Sequence, residues 1–133
     1  MSIRITLSEH EMPTEVSSAV ELESILAAAA VEAAKVEKLN VVFLEASNGN
    51  TLNLAVGGQD TSLGFVHGHG DPPYFISKGD SDFDEPVLTC YIPSDHHTEY
   101  PRSSVVPSAL GLAAALEFLI TCELPLVIEW QTV

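Results

Sequence analysis

The chain has 133 residues, of which 46% are hydrophobic and 18% charged, a composition that suits one compact domain and excludes a disordered tail. Nineteen acids against five lysines and arginines give a formal charge of −14 at pH 7. That charge argues against direct nucleic-acid binding and against an anionic membrane surface, and it favours a basic protein partner. Because acidity also serves solubility, charge alone identifies no function.

The two cysteines and the first residues bear on cellular location. Cys90 and Cys122 lie far apart, each within an apolar run, which predicts two small buried thiols in a reducing cytosol. The first residues alternate apolar and polar side chains and lack the apolar core of a signal peptide. The apolar run at 25–31 is too short to span a bilayer. We therefore expect a cytoplasmic protein.

The first third of the chain predicts a strand, a polar linker and a long helix. Residues 3–7 alternate as a strand with one buried face, and residues 8–13 form the linker. Ser18 with Glu21 three residues later predicts a helix start with a capping box, and the helix should end near Glu37. The predicted buried face of this helix comprises Leu22, Ile25, Leu26, Ala29, Ala33 and Val36.

The middle of the chain predicts antiparallel strands joined by tight turns. Residues 39–46 are apolar on both faces, as in a central strand, and Asn48-Gly49 signals a hairpin. Three further strands, at 52–56, 62–67 and 74–78, are separated by glycine-rich turns. These three strands predict a meander.

The last part predicts a strand, a loop, a helix and a final strand. An acidic turn at 78–85 leads to a strand at 87–92, and residues 93–106 show no periodicity, which indicates a loop. Pro107 suits the first turn of a helix, and Pro125 separates that helix from a final alternating strand. The helix face predicted to be buried comprises Ala109, Leu112, Leu116 and Leu119, and Glu117 marks the narrow solvent-exposed stripe.

The order of these elements predicts the fold class. A strand, a helix, five strands, a helix and a strand indicate an α+β domain over residues 1–133. We expect a mostly antiparallel sheet of about six to seven strands with two helices packed on one face.

His67-Gly-His69-Gly-Asp71 is the motif that most favours catalysis. Alternate histidines on an extended chain point the same way and suit two ligands of one zinc ion, with Asp71 as a third. The spacing is close to that of metallo-β-lactamase-like hydrolases, but Pro72 stands where their next histidine belongs. A small metal-dependent enzyme built on these three residues is therefore one alternative. Cys90 lies within a predicted strand and is expected to be structural rather than nucleophilic.

Dense acidic loops favour recognition instead. Four acids surround Phe83 within six residues, which resembles an apolar anchor inside a charged rim, although a solvated loop with one inward Phe fits equally well. A second loop carries further acids and a tyrosine. The residues predicted to contact a partner are Asp60, Asp71, Asp80, Asp82, Phe83, Asp84, Glu85, Asp95, Glu99 and Tyr100.

A set of short motifs between residues 39 and 131 carries a family resemblance. The motifs are Leu52-x-Leu-x-Val-Gly-Gly, Asp60-x-Ser62-x-x-Phe65, Tyr74-x-x-Ser77-x-Gly79, Pro86, Tyr91, Val106-Pro107, Glu117-Phe118-Leu119, and Pro125 before a strand ending Val127-x-x-Trp130. In these motifs the chain resembles the first-numbered immunity-protein family, Imm1, of bacterial polymorphic toxin systems. Cys122-Glu123 departs from the family, whose members tend to carry glycine after the second helix.

The resemblance implies a small binding protein without a cofactor and not an enzyme. Such proteins bind a cognate secreted toxin domain, often a nucleic-acid deaminase or nuclease, and block it inside the producing cell. An acidic protein suits this role because it can occupy a basic substrate cleft in place of phosphate. The residues alone leave open an acidic adaptor or nucleic-acid mimic whose partner is not a toxin. The long 93–104 loop is where partner specificity is expected.

Overall fold

The computed structural model describes residues 2–7, 12–80, 88–91 and 97–133. Both helices and all strands assigned below lie within these ranges. The elements are β1 (Ile3–Thr6), β2 (Thr14–Val16), α1 (Ala19–Lys35), β3 (Asn40–Ala46), β4 (Thr51–Val56), β5 (Asp60–Thr61), β6 (Leu63–Val66), β7 (Phe75–Ser77), β8 (Leu88–Tyr91), β9 (His97–Tyr100), a 3-10 turn at Arg102–Ser104, β10 (Val106–Pro107), α2 (Ser108–Thr121) and β11 (Trp130–Thr132).

Within the described ranges, nine of these strands form one sheet, which confirms the predicted α+β class. Seven strands lie side by side in the order β11-β7-β6-β4-β3-β1-β2, each antiparallel to its neighbours. The β8–β9 hairpin joins the start of β3 through one parallel pairing, Asn40 opposite Tyr91. β5 and β10 form a separate two-stranded sheet.

The predicted meander and its preceding hairpin are confirmed. β4, β6 and β7 pair in sequence, with Leu52 opposite Phe65 and Phe65 opposite Phe75. Gly49 in the β3–β4 turn has φ of +88°, a conformation that glycine adopts without steric cost. The local turn signals were therefore sufficient to predict this part of the sheet.

Helix α1 begins as predicted. The Ser18 hydroxyl accepts the backbone N–H of Glu21 at 3.2 Å, and the Glu21 carboxylate accepts the backbone N–H of Ser17 at 3.4 Å. Leu22, Leu26 and Ala33 are buried, as the helical periodicity predicted. The prediction that Val36 is buried was wrong: this residue is the C-cap and is 61% exposed.

The predicted buried face of α2 was only partly correct. Ala109 is exposed, whereas Leu119 is buried as predicted. The face that packs on the sheet consists of Gly111, Ala114, Ala115, Phe118 and Leu119. Small residues let the helix lie close to the strands beneath it, since a Cβ at Gly111 would lie only 2.7 Å from a methyl carbon of Thr61 in β5. Because this helix is apolar on most sides, its sequence periodicity does not identify a single buried face.

The core has two parts on opposite faces of the sheet. Both helices cover one face, where α1 and α2 side chains join a large cluster centred on Leu44, Leu52 and Phe65. On the other face, Val41, Ala55 and Cys90 form a smaller cluster beneath the β8–β9 hairpin. Both cysteines are buried free thiols, as predicted. Neither described helix has the length and apolar character needed to cross a membrane.

Candidate functional site

The structure places the predicted partner-binding acids at opposite ends of the sheet. The Asp60 end consists of residues 57–62, 78–80 and 101–107, and it holds Asp60 and Asp80. The Asn50 end consists of residues 47–50 and 67–74, and it holds Asp71. A six-residue strand such as β4 separates the two ends by about 20 Å. An interface that used Asp71 as well as Asp60 would therefore have to cover the full length of the sheet.

Asp60 is partly neutralised by a cation. Its carboxylate lies 3.9 Å from the guanidinium of Arg102, and the two side chains are 45% and 43% exposed. Such an exposed pair adds at most about 1 kcal/mol to stability. Its main consequence is local, because Arg102 offsets the negative potential at Asp60.

Buried hydroxyl groups hold the segment that carries Arg102. The Ser62 and Ser104 hydroxyls are 2.9 Å apart. The Ser77 hydroxyl donates to the Ser104 carbonyl at 2.6 Å and accepts the Leu63 N–H at 3.0 Å. All three serines are fully buried. Since the hydroxyls bind backbone groups and one another, they position the loop rather than act as nucleophiles.

Gly79 fixes the position of Asp80 against the same segment. The Gly79 N–H donates to the Ser103 carbonyl at 2.7 Å. A Cβ at this position would lie 2.0 Å from the Val105 carbonyl oxygen, so only glycine fits. Asp80, the next residue, is exposed beside the 101–105 segment. The Ser77-x-Gly79 motif therefore builds the surface on which Asp80 is displayed.

The β8–β9 hairpin carries the next two predicted residues. Glu99 is exposed, whereas Tyr100 packs against the small cluster of Val41, Ala55 and Cys90. Burial raises the pKa of Cys90 to about 11. Burial, and secondarily the neighbouring Cys90, raises the pKa of Tyr100 to about 12. Tyr100 is thus an uncharged anchor of the hairpin at neutral pH, and its contact with a partner stays a prediction.

The prediction that residues 93–106 form one loop was wrong. This stretch contains β9, the 3-10 turn at Arg102–Ser104 and the first residue of β10. β9 has the polar sequence His-Thr-Glu-Tyr and pairs on one side with β8, so its strand character depends on a partner rather than on apolar alternation. The predicted contact residues Asp82, Phe83, Asp84, Glu85 and Asp95 lie outside the described residues.

His67, His69 and Asp71 form a stacked turn. The two imidazole rings stack with centroids 5.3 Å apart and an interplanar angle of 20°. Nδ1 of His69 accepts the backbone N–H of Asp71 at 3.0 Å, and His67 also meets the ring of Phe65 edge to face. Over residues 2–7, 12–80, 88–91 and 97–133, no three His, Cys, Asp or Glu side chains are grouped to hold a metal ion. The geometry supports a structural role for this motif.

Glu117 has a role that the sequence did not indicate. It was predicted to mark a wet stripe of α2, but its carboxylate accepts the backbone N–H groups of Leu126 at 2.6 Å and Val127 at 3.1 Å. The predicted final strand also begins later than expected, at Trp130. Residues 126 and 127 instead form a fixed bend whose side chains are 82% and 46% exposed.

Several cations of the chain are engaged by local partners. Arg4 pairs with Glu45, and Lys35 pairs with Glu32 at 3.1 Å. The ammonium of Lys38 lies 4.6 Å from the centre of the Tyr91 ring. With only five Lys and Arg against nineteen acids, most carboxylates have no cation within the chain to neutralise them. The surface therefore presents a strong negative potential to a partner.

Comparison with known proteins identifies the family. The family model described as immunity protein Imm1 matches residues 10–132, almost the whole chain. No curated protein matches the chain. The matched range includes Ser62, Ser77 and Gly79, which hold the 101–105 segment at the Asp60 end. The chain belongs to the Imm1 family and is an immunity protein directed against a toxin.

Proposed function

We propose that the protein neutralises its toxin by covering the toxin's basic substrate cleft with its own acidic surface. The toxin would be a nucleic-acid deaminase or nuclease, and the two proteins would meet in the cytoplasm of the producing cell. The observation that carries this proposal is the charge of −14 on a chain whose few cations are largely engaged locally. A cleft that binds phosphate is positive, so its potential is complementary to this surface.

The Asp60 end supports the proposal better than the Asn50 end. Asp80 is exposed there and Glu99 is exposed on the adjoining β8–β9 hairpin, on segments that buried hydroxyls and the Cys90 cluster hold in place. Fixed carboxylates lose little conformational entropy when they pair with toxin Lys or Arg side chains. At the Asn50 end, Asp71 is exposed next to a stacked histidine pair, and the Glu123 carboxylate nearby already accepts hydrogen bonds from the Asn48 and Asn50 amides.

Inhibition would combine steric exclusion with charge pairing. The carboxylates of Asp80 and Glu99 would take the positions of substrate phosphates and pair with the cations that bind them. The pairs at the centre of the contact would lose water and lower the dissociation rate, whereas exposed pairs at the rim would raise the association rate. Substrate could not enter the cleft while the complex lasts.

The test uses the toxin domain encoded next to this chain, carrying an inactivating substitution. Asp80→Lys combined with Glu99→Lys should weaken binding by at least about tenfold, chiefly through a slower and less salt-dependent association. The control, Asp71→Lys with Glu15→Lys, makes the same charge change at two exposed acids away from the Asp60 end and should have a much smaller effect. Equal losses in the two variants, or an association rate that salt does not alter, would contradict the proposed surface.

The acidic residues between positions 80 and 85 give a second test. Reversing the charge of Asp80, Asp82 and Asp84 together should weaken toxin binding while the melting temperature stays nearly unchanged, because like charges packed so densely do not stabilise the free fold. Calorimetric affinity equal to that of the wild type would remove these three acids from the interface.

A further inference from the structure

Two neighbouring aliphatic side chains project from the surface beside the Asp60 end. Leu126 is 82% exposed and Val127 is 46% exposed, and we call this pair the Leu126 ledge. Leu110 on α2, 39% exposed, lies along the same groove as Val127. Single exposed aliphatic residues are common on proteins, but adjacent ones held in a fixed bend form a patch that favours a partner contact.

The ledge is held rigidly by the residues around it. The Glu117 carboxylate binds the backbone N–H groups of both ledge residues, at 2.6 and 3.1 Å. The residues on either side of the ledge are also anchored. The Trp130 indole N–H donates to the Pro125 carbonyl at 2.6 Å, and Ile128 is buried in the main core. The backbone that carries the two side chains is therefore already fixed, and less conformational entropy is lost when a partner binds.

A shallow groove of about 300 Å³ runs beside the ledge. Leu110 and Val127 are the exposed aliphatic side chains along it, above the largely buried Val105, Val106 and Ile128. Its rim carries the exposed carboxylates of Asp80 and Glu129 together with Lys78. Exposed aliphatic side chains beside the carboxylates of Asp80 and Glu129 are complementary to an apolar side chain that is flanked by basic residues.

We propose that the Leu126 ledge and its groove are the apolar anchor of the toxin interface. The occupant is an apolar side chain of the cognate toxin domain, set among Lys and Arg residues that pair with Asp80 and Glu129. This inference rests on the proposed function, since Asp80 belongs to both the acidic surface and the groove rim. It adds a contact that limits dissociation, whereas the surrounding charges accelerate association.

The test compares Leu126→Ser/Val127→Ser with Val20→Ser/Val31→Ser, using the inactivated toxin domain as the probe. Val20 and Val31 are 78% and 55% exposed on α1, so the control also removes two exposed aliphatic side chains. The ledge variant should bind at least about tenfold more weakly, equivalent to about 1.4 kcal/mol, through faster dissociation that is insensitive to salt. The control should bind as the wild type does, and all three proteins should melt at similar temperatures.

The outcomes separate this inference from the proposed function. If Asp80→Lys/Glu99→Lys weakens binding and the ledge variant dissociates at the wild-type rate, the ledge is not an anchor and the acidic surface stands. If the ledge variant and the α1 control lose the same affinity, the effect is not specific and the ledge is again refuted. If the wild-type protein does not bind the toxin domain, both proposals fall.

Discussion

Asn50 links three separate segments at the Asn50 end and is the side chain whose alteration should be most informative. It is 6% exposed. Its amide nitrogen donates to the Cys122 carbonyl at 2.8 Å and to the Glu123 carboxylate at 3.3 Å, while its oxygen accepts the Gly68 N–H at 2.8 Å. One amide thus joins the β3–β4 turn, the end of α2 and the β6–β7 turn.

Asn50→Asp keeps the shape of the side chain and the oxygen that accepts the Gly68 N–H, but it replaces the donating NH₂ group with an oxygen. Two hydrogen bonds are lost, and the new oxygen faces a carbonyl at the 2.8 Å separation of the former bond. Each lost bond costs about 1 kcal/mol, and the desolvated, repelled carboxylate adds about 1–2 kcal/mol more. A loss of about 3–4 kcal/mol at pH 7 should lower the melting temperature by roughly 10–15 °C.

The assay is thermal unfolding of Asn50→Asp and of a matched control, Asn48→Asp, across pH. Asn48 is exposed and donates to the same carbonyl at 3.1 Å, so its substitution should cost about 1 kcal/mol or less. Burial and repulsion raise the folded-state pKa of the carboxyl introduced at position 50. The neutral form can donate to the Cys122 carbonyl, so the deficit should shrink as pH falls below about 5. Equal losses in both variants, or a deficit independent of pH, would refute the role given to Asn50.

Three further predictions concern single residues of the fold. Cys122 is buried and has φ of +57°, at the position where glycine is expected. In urea unfolding, Cys122→Gly should therefore be about 1 kcal/mol more stable than Cys122→Ala, because only the alanine keeps the backbone strain. The reverse order of stability would contradict backbone strain at this position. Burial raises the pKa of the Cys90 thiol from 9.0 to about 11, so the neutral thiol is favoured in the folded state and stability is lost as pH rises between these values. Cys90→Ala should remove about 2–3 kcal/mol of this decrease in the free energy of unfolding with rising pH. If the free energy of unfolding falls with pH as steeply as in the wild type, the Cys90 thiol is not the source of the decrease. Glu117→Ala should lower the free energy of unfolding by about 1–2 kcal/mol, because the backbone N–H groups of Leu126 and Val127 lose a charged acceptor. An unchanged free energy of unfolding would show that the bend at residues 126 and 127 does not depend on Glu117.

Local signals in the sequence were enough to predict much of the fold. The Ser18 cap, the Asn48-Gly49 turn and the meander each depend on residues within a few positions of one another. Tertiary context decided the rest. β2 and β9 are short polar strands that exist through pairing with β1 and β8, and polar segments of this kind carry no apolar alternation.

The candidate site was predictable in composition but not in geometry. The excess of acids and the exposure of Asp80 and Glu99 follow from the sequence. The Ser62–Ser104 contact joins hydroxyls 42 residues apart, and the Arg102–Asp60 pair joins the same two segments of the chain. Glu117 and the Leu126 ledge were missed for the same reason, since a backbone-binding carboxylate has the same sequence appearance as a solvated one.

Competition between the protein and nucleic acid for the toxin domain shows whether the acidic surface covers the substrate cleft. The inactivated toxin domain would be bound to a labelled nucleic-acid substrate, and the protein would then be added at increasing concentration. Occlusion of the cleft by an acidic surface predicts that the protein displaces the nucleic acid at one equivalent and that no ternary complex forms. A stable ternary complex, with nucleic acid and immunity protein bound to the toxin together, would contradict it.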